Sequence, residues 1–402
     1  MAASPEVSGW RAELERLLAR FGRLFVRAEP REQAGRYLEG LLGPVERKNG
    51  WQLAEAIGDA RPWRTQRVLS HVLWDEDAAR DLCREHVVER LGAEDAVLVV
   101  DETGFVKKGR HSAGVARQYC GTLGKVENCQ VGVFLAYGSR RGHALIDRRL
   151  YLPEAWAGDA ERRRAAKVPG DVGFLTKPAI AREMLARALD AGVPCAWVLG
   201  DEVYGADRRL RTMLEERGRP YVLAIRSNDR LDAELEGGVG RDTPAALTRA
   251  LPPRAWRRLS AGAGTKGERL YDWARVRLVR PPAAGGDAPP REHWLLVRRP
   301  ITDPADLAYF VVFAPAGLRL VDLARAAGRR WLVEECFEAA KQEVGLADYE
   351  VRSWRGWHRH VTLAMLALAF LAGLRAALNA AKGGGASPAS FSCPSASLSS
   401  AA

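Results

Sequence analysis

The chain has 402 residues, of which 47% are apolar, so it can bury a sizeable core over two or three domains, and an intrinsically disordered protein is excluded. Its 61 Lys and Arg residues outnumber its 50 Asp and Glu residues, and the net charge of +11 favours a polyanionic partner such as nucleic acid. The alternative is that the arginine-rich surface serves only solubility. The six cysteines form no Cys-x-x-Cys pair, so neither a zinc site nor a disulfide framework is predicted.

The sequence also bears on the cellular compartment. The N-terminus lacks the basic and then apolar pattern of a secretory signal. The longest late apolar run, residues 361–374, is too short to span a bilayer, and it predicts a buried helix. We therefore expect a cytoplasmic protein with no membrane segment.

Residues 10–91 carry apolar side chains at helical spacing, so we assign residues 1–94 to a helical N-terminal DNA-binding domain. Within it, WQLAEAIGDARPWRTQRVLSHV predicts a helix, a glycine-containing turn and a second helix that carries Arg64 and Arg67. This pattern resembles a helix-turn-helix that reads DNA. The alternative is an ordinary helical hairpin in a bundle, because so loose a pattern matches many hairpins.

The pattern changes at Asp95, where AVLVVDETGF predicts an apolar strand that ends on acidic residues. The basic turn KKGR follows, and its Lys107 and Lys108 either contact a DNA backbone or form only a solvated turn. As far as residue 227 the order of elements is three strands, helix, strand, helix, strand. This order indicates an α/β domain in which helices cover a mixed sheet.

Helical spacing lapses over residues 228–319, where RLYDWARVRLV, HWLLVRRP and LAYFVVFAP predict an inserted β subdomain with a PPAAGGDAPP loop. Helical periodicity returns over residues 320–382, which we expect to complete the α/β domain. Residues 383–402 are rich in Gly, Ser, Ala and Pro and are predicted to be a disordered tail.

Two carboxylates follow apolar strands. Asp101 comes after AVLVV and Asp201 after CAWVLG, and functional residues of α/β sheets commonly collect at strand ends. If the two strands are neighbours, the carboxylates can share divalent cations, because oxygen ligands suit Mg²⁺ or Mn²⁺. The alternative for each residue alone is a helix cap or a solvated turn.

A third carboxylate is sought on the helix RRWLVEECFEAAKQ, which has an apolar stripe at helical spacing. Glu334 is predicted at the border of this stripe, and Glu335 is predicted on the more exposed side, so Glu334 is the better ligand. Arg330 lies one turn before Glu334, and Lys341 lies two turns after it. The alternative is that the three residues form only a ladder of helix salt bridges.

The spacing from Arg330 to Glu334 to Lys341 resembles the signature helix of the DDE transposases of bacterial insertion sequences, in which the Glu is the third metal ligand. Over residues 48–378 the chain is similar to one branch of that group, through the strings DETGFVKKG, RQYCGTLGKVENCQVGVFLAY, LIDRRLYLP, GDEVYG and RRWLVEECFEAAKQEVGLADYEVRSWRGWHRH. The resemblance implies an α/β fold with a ribonuclease-H-like mixed sheet and flanking helices. It also implies an inserted β subdomain and an all-α N-terminal domain.

The resemblance implies an enzyme that cleaves DNA at the ends of a mobile element and transfers the strand into target DNA. Asp101, Asp201 and Glu334 would be its catalytic and metal-binding residues, with two Mg²⁺ or Mn²⁺ ions. Arg330 and Lys341 would clamp phosphates beside them. The implied partner is double-stranded DNA, both terminal inverted repeats and target, for a cytoplasmic, nucleoid-associated protein, and a homodimer in the DNA complex is compatible with it.

The chain departs from the family pattern at two places. Ala327 stands where the signature usually has Tyr, three residues before Arg330, and the tail after Lys382 looks foreign to the family. These departures keep open a catalytically decayed transposase that still binds DNA and acts as a repressor. A glycosidase with paired acids is a second alternative, but it gives no reason for the net charge of +11.

Overall fold

In the computed structural model the described residues are 5–235, 238–264, 267–279 and 290–382. Between residues 5 and 91 the described chain forms helices and no strand, as its apolar spacing predicts. Side chains cap two of the helices, because Asn49 accepts hydrogen bonds from the backbone N–H groups that begin α3 and Asp75 does the same for α5. The helices are α1 (Pro5–Gly22), α2 (Ala28–Leu42), α3 (Gly50–Ala56), α4 (Trp63–Ser70) and α5 (Glu76–Leu91).

The first part of the α/β domain forms a mixed sheet. Its strands are β1 (Val97–Val106), β2 (Ala116–Cys120), β3 (Lys125–Ser139), β4 (Gly142–Leu150), β5 (Trp197–Gly200) and β6 (Tyr221–Ile225). Its helices are α6 (Glu154–Ala157), α7 (Ala160–Ala165), α8 (Lys177–Asp190), α9 (Glu202–Gly205) and α10 (Arg208–Glu216).

The pairing of these strands gives the ribonuclease-H-like arrangement. β3 is antiparallel to β1 along one edge and to β4 and β2 along the other, whereas β1, β5 and β6 are parallel neighbours. Parallel strands need crossover connections, and helices supply them between β4 and β5 and between β5 and β6. The predicted mixed sheet with flanking helices is therefore confirmed.

The inserted segment continues this same sheet. It contains β7 (Leu231–Leu235), β8 (Gly238–Asp242), α11 (Pro244–Arg249), β9 (Arg257–Gly264), β10 (Gly267–Leu278), β11 (Arg291–Pro300) and β12 (Ala308–Pro315). β12 pairs antiparallel with β6, so the described strands join into one sheet of twelve. The predicted loop PPAAGGDAPP lies, apart from its last residue, outside the described residues.

Three helices follow the insertion, namely α12 (Leu320–Gly328), α13 (Leu332–Val344) and α14 (Trp354–Ala381), with a 3₁₀ turn at Arg329–Trp331 between the first two. α13 approaches the sheet closely, because a Cβ atom on Gly138 of β3 would lie only 2.5 Å from the Leu332 side chain. The predicted disordered tail, residues 383–402, lies outside the described residues.

The apolar run near the C-terminus forms a longer helix than predicted. Ser353 caps α14 and helix-favouring alanines extend it, so its 28 residues are long and apolar enough to cross a membrane, and the length argument from residues 361–374 was wrong. A core helix passes the same test, and 61% of the apolar stretch is buried in the protein. α14 packs against α5 and β4, which confirms the predicted buried helix.

Candidate active site

Two acidic residues stand side by side where β1 and β5 stop pairing. Val100 of β1 is in register with Gly200 of β5, and each of these residues is followed directly by an aspartate, Asp101 or Asp201. Asp201 caps the N-terminus of α9, where its Oδ1 accepts a hydrogen bond of 2.9 Å from the Val203 N–H. The prediction that Asp101 ends its strand was wrong, because β1 continues to Val106 through its pairing with β3.

Arg330 links the first of these carboxylates to the helix that carries Glu334. Its Nη1 donates to Asp101 Oδ2 at 3.2 Å, and its Nη2 donates to Glu334 Oε1 at 3.3 Å. Arg330 lies in the 3₁₀ turn before α13, so one guanidinium connects β1 with α13. The structure therefore places Asp101, Arg330 and Glu334 in one hydrogen-bonded group, beside Asp201.

Negative charge is in excess at this position. Burial, together with the nearby Asp201 charge, raises the Asp101 pKa from 3.8 to about 7, although Arg330 acts in the opposite direction. Burial and the charge of Glu102 also raise the Asp201 pKa. Among the described residues no three Asp, Glu, His or Cys side chains already form a metal cage. The donors are nevertheless carboxylate oxygens with uncompensated charge, a set that fits a hard divalent cation.

Lys341 lies farther along α13, on the same face of β1 as Asp101. Its Nζ donates to Thr103 Oγ1 at 2.8 Å and to Thr122 Oγ1 at 3.1 Å. Thr103 is two residues beyond Asp101, and alternate residues of a strand share a face. Burial lowers the Lys341 pKa, so this cation stands in a partly desolvated position close to the carboxylates.

Glu102, which the sequence patterns did not single out, points to the face of β1 opposite Asp101. Lys177 Nζ, at the start of α8, donates to Glu102 Oε1 at 2.6 Å, and the buried Tyr204 hydroxyl of α9 donates to Oε2. Because Asp201 caps α9, this group ties the middle of β1 to the element that positions Asp201. The strings DETGF and GDEVYG contain Glu102 and Tyr204 next to the predicted acids, and strand alternation was the available signal.

The two glutamates of α13 differ from their predicted exposure. Glu334 is exposed, whereas Glu335 is only partly exposed. Burial raises the Glu335 pKa, and the nearby Arg269 of β10 lowers it. The predicted order was therefore wrong, because the helix pattern could not show that Arg269, from a distant part of the chain, lies near Glu335. The apolar stripe itself is confirmed, since Val333, Cys336, Ala340 and Val344 are buried.

The predicted DNA contacts outside this site have different surroundings. Lys107 Nζ donates to the Tyr349 carbonyl at 3.1 Å and lies 3.6 Å from the centre of that ring, and burial lowers its pKa to about 8. Lys108 is exposed. In the α3–α4 hairpin Arg64 is exposed and lies 3.5 Å from Asp59 Oδ1, and the exposed Arg67 stacks at 6.0 Å over Trp63.

Two comparisons with known proteins identify the family of the chain. The family described as DDE superfamily endonuclease matches residues 17–278, a range that contains Asp101 and Asp201 and ends before Glu334. A protein described as probable transposase for insertion sequence element IS701, from Microchaete diplosiphon, is 32% identical over 199 residues. That alignment covers 49% of this chain and 49% of the relative, so the chain spans about half the length of the relative it matches. The relative shows that the chain is similar to insertion-sequence transposases. The family match covers well over half of the chain, which therefore belongs to the DDE superfamily of endonucleases.

Proposed function

We propose that this protein is a transposase that cuts DNA at the ends of a mobile element and joins the cut strand to target DNA. Asp101, Asp201 and Glu334 hold two divalent ions, Mg²⁺ or Mn²⁺. The observation that carries the proposal is the Arg330 guanidinium, which joins Asp101 to Glu334 beside the Asp201 carboxylate. Two of these acids lie within the family match, and all three are oxygen donors suited to such ions.

Divalent ions bound by these residues would activate a water molecule and stabilise the leaving 3′ oxygen of the cut phosphodiester. Asp101 is partly buried beside Asp201, so ionisation of the pair is unfavourable without a cation. Binding therefore has to displace the Asp101 proton, and the affinity for the ion rises with pH.

Arg330 and Lys341 have distinct tasks in the proposal. Arg330 donates to both Asp101 and Glu334, and its fork fits a phosphate as well as it fits a carboxylate. It exchanges a carboxylate for a phosphate oxygen when DNA and ions enter. Lys341, held by two threonine hydroxyls, presents a point charge to a neighbouring phosphate.

One site serves both chemical steps. In cleavage the nucleophile is water, and in strand transfer it is the 3′-OH that cleavage released, so neither a covalent protein intermediate nor an external energy source is needed. Sequence recognition is assigned to the α3–α4 hairpin, whose Arg64 and Arg67 are exposed. The substrate is double-stranded DNA, and a homodimer is compatible with a reaction at two element ends.

The test is cleavage of a supercoiled plasmid that carries the terminal inverted repeats found beside the gene. The full chain should nick it with Mg²⁺ or Mn²⁺ and not with EDTA. Asp101→Asn, Asp201→Asn and Glu334→Gln should each lose cleavage and keep DNA binding. Glu335→Gln, one position along the same helix, is the matched control and should retain cleavage. Binding without cleavage by the parent chain in any metal would contradict a transposase and favour the repressor alternative.

A further inference from the structure

A basic cleft lies beside β2, away from the carboxylates. It has a volume of about 380 Å³ and is lined by Arg110, Val115, Ala116, Arg117, Asn128 and Arg162. Three of these residues are arginines and none is acidic. We call this feature the β2 cleft.

The positive charge of the β2 cleft is not balanced locally. Arg110 and Arg117 are exposed, and among the described residues neither has an acidic group within ion-pair distance. Arg117 interacts electrostatically with the partly exposed Glu127, but Glu127 is already paired with Lys125 at 3.7 Å. Arg162 stacks 3.9 Å over the Trp156 ring and donates to the Val115 carbonyl at 3.3 Å. A surface with this charge is complementary to a polyanion.

Side-chain amides hold the loop that carries Arg110. Asn128 Nδ2 donates to the carbonyls of Lys107 and Gly109, the latter at 3.1 Å. Buried Gln130 donates to the Ala113 carbonyl at 2.7 Å. Both amides belong to β3, so the loop is fixed to the sheet and Arg110 is presented in a set position. Preorganisation of this kind lowers the entropy cost of binding.

β2 leads from this cleft to the candidate active site. After β2 the chain makes a 3₁₀ turn at Gly121–Leu123, where Thr122 accepts a hydrogen bond from Lys341. From Arg117 to Cys120, the last residue of β2, the strand rises about 10 Å at roughly 3.3 Å per residue. The Lys341 contact lies two residues farther on, at Thr122, so the cleft and Lys341 are separated by a distance that a few nucleotides of one DNA strand would span.

From this placement we propose that the β2 cleft binds backbone phosphates of the DNA substrate, a few nucleotides from the phosphate beside Lys341. The inference rests on the proposed function, because it continues the DNA path beyond the cleavage site. It also assigns the DNA contact of the basic KKGR turn to Arg110, which lines the cleft, and not to Lys107, which donates to the Tyr349 carbonyl. Phosphate contacts position DNA and do not read its sequence.

The test compares two double variants that each remove two positive charges. Arg110→Gln with Arg117→Gln removes charge from the cleft. Arg140→Gln with Arg141→Gln removes it from the β3–β4 hairpin, which lies beyond the start of β1 at the opposite end of the sheet. Binding of a labelled random-sequence duplex is measured over a range of salt concentrations without divalent ions.

The slope of log affinity against log salt is negative, and in the cleft variant its magnitude should decrease by about 0.9 for each phosphate that the cleft no longer binds. The hairpin variant should leave the slope unchanged. Equal slopes for the cleft variant and the parent would overturn the inference. An equal decrease of the slope in both variants would also overturn it, because the effect would then be one of net charge. Failure of the proposed function would be distinct, since it would appear as absence of metal-dependent cleavage by the parent chain.

Discussion

Adjacent residues of β1 have opposite electrostatic surroundings. Glu102 accepts hydrogen bonds from Lys177 and Tyr204, so both of its oxygens have donors. Both oxygens of Asp101 also have donors, Arg330 and the Glu102 N–H, but Asp101 shares this arginine with Glu334 and stands beside Asp201, and its pKa is raised to about 7. A carboxylate paired with its own cation, as Glu102 is with Lys177, is neutralised within the fold, whereas a carboxylate that shares one cation with other carboxylates keeps excess negative charge and is suited to bind a metal ion. The comparison separates a structural acid from a candidate catalytic acid one residue away.

The largest expected effect is on cleavage. Glu334→Ala should reduce metal-dependent cleavage to background and change the free energy of unfolding by no more than about 0.5 kcal/mol, because Glu334 is exposed. Glu102→Ala should destabilise the protein by about 1–3 kcal/mol, because it leaves the buried Tyr204 hydroxyl without its acceptor. Denaturant unfolding and plasmid nicking measure the two effects. Loss of stability in Glu334→Ala together with loss of cleavage alone in Glu102→Ala would make Glu102 the catalytic acid and Glu334 the structural one.

Asp101 should make the metal-free protein less stable as the pH rises. Its folded pKa of about 7 lies above its ordinary 3.8, so its stabilising contribution is complete below pH 3.8 and is lost as the pH rises through 7. Each unit of the pKa difference corresponds to about 1.4 kcal/mol. Asp101→Asn should therefore remove this loss, and its stability relative to the parent should increase across that range. The free energy of unfolding of variant and parent is measured in EDTA at several pH values. A difference between them that does not vary with pH would contradict the raised Asp101 pKa.

Tyr204→Phe tests the link between the two faces of β1. Loss of the hydroxyl should cost about 1 kcal/mol of stability and weaken Mn²⁺ binding, because Tyr204 ties Glu102 to the helix that Asp201 caps. Tyr221→Phe is the matched control, since its hydroxyl also donates to a glutamate, Glu215, outside the site. Calorimetric titration with Mn²⁺ compares them. Equal Mn²⁺ affinity in both variants would show that the Tyr204 bond is only structural.

The smallest expected effect concerns sequence discrimination. Arg64→Ala with Arg67→Ala should narrow the affinity difference between a terminal-repeat duplex and a random duplex, because base-edge contacts carry discrimination. Lys341→Ala should leave that difference unchanged and lower the salt slope by about 0.9. The affinity difference is measured at one fixed salt concentration, and the salt slope is measured over a range of salt concentrations. If the double variant discriminates as the parent does, the hairpin is structural.

The sequence was sufficient for features that depend on neighbouring residues. Apolar runs before Asp101 and Asp201 predicted strands, and helical spacing predicted the buried stripe of α13. Contacts between distant segments were beyond it. Lys107 meets the Tyr349 carbonyl 242 residues away, and Glu102 meets Lys177 75 residues away. The exposure of Glu334 relative to Glu335 likewise depends on the tertiary surroundings of α13, which include Arg269 of β10 near Glu335 and which no local pattern contains.

The pairing of β12 with β6 affects how the protein can be shortened. β6 is bordered by β5 on one side and by β12 on the other, so removal of the insertion would leave a row of unpaired N–H and C=O groups along β6. Such an open edge recruits strands from other molecules and promotes aggregation. Arg269 of β10 also donates to the Gly328 carbonyl at 3.0 Å, next to the turn that carries Arg330. A chain without the insertion would therefore be prone to self-association and would lose a support of the Arg330 turn.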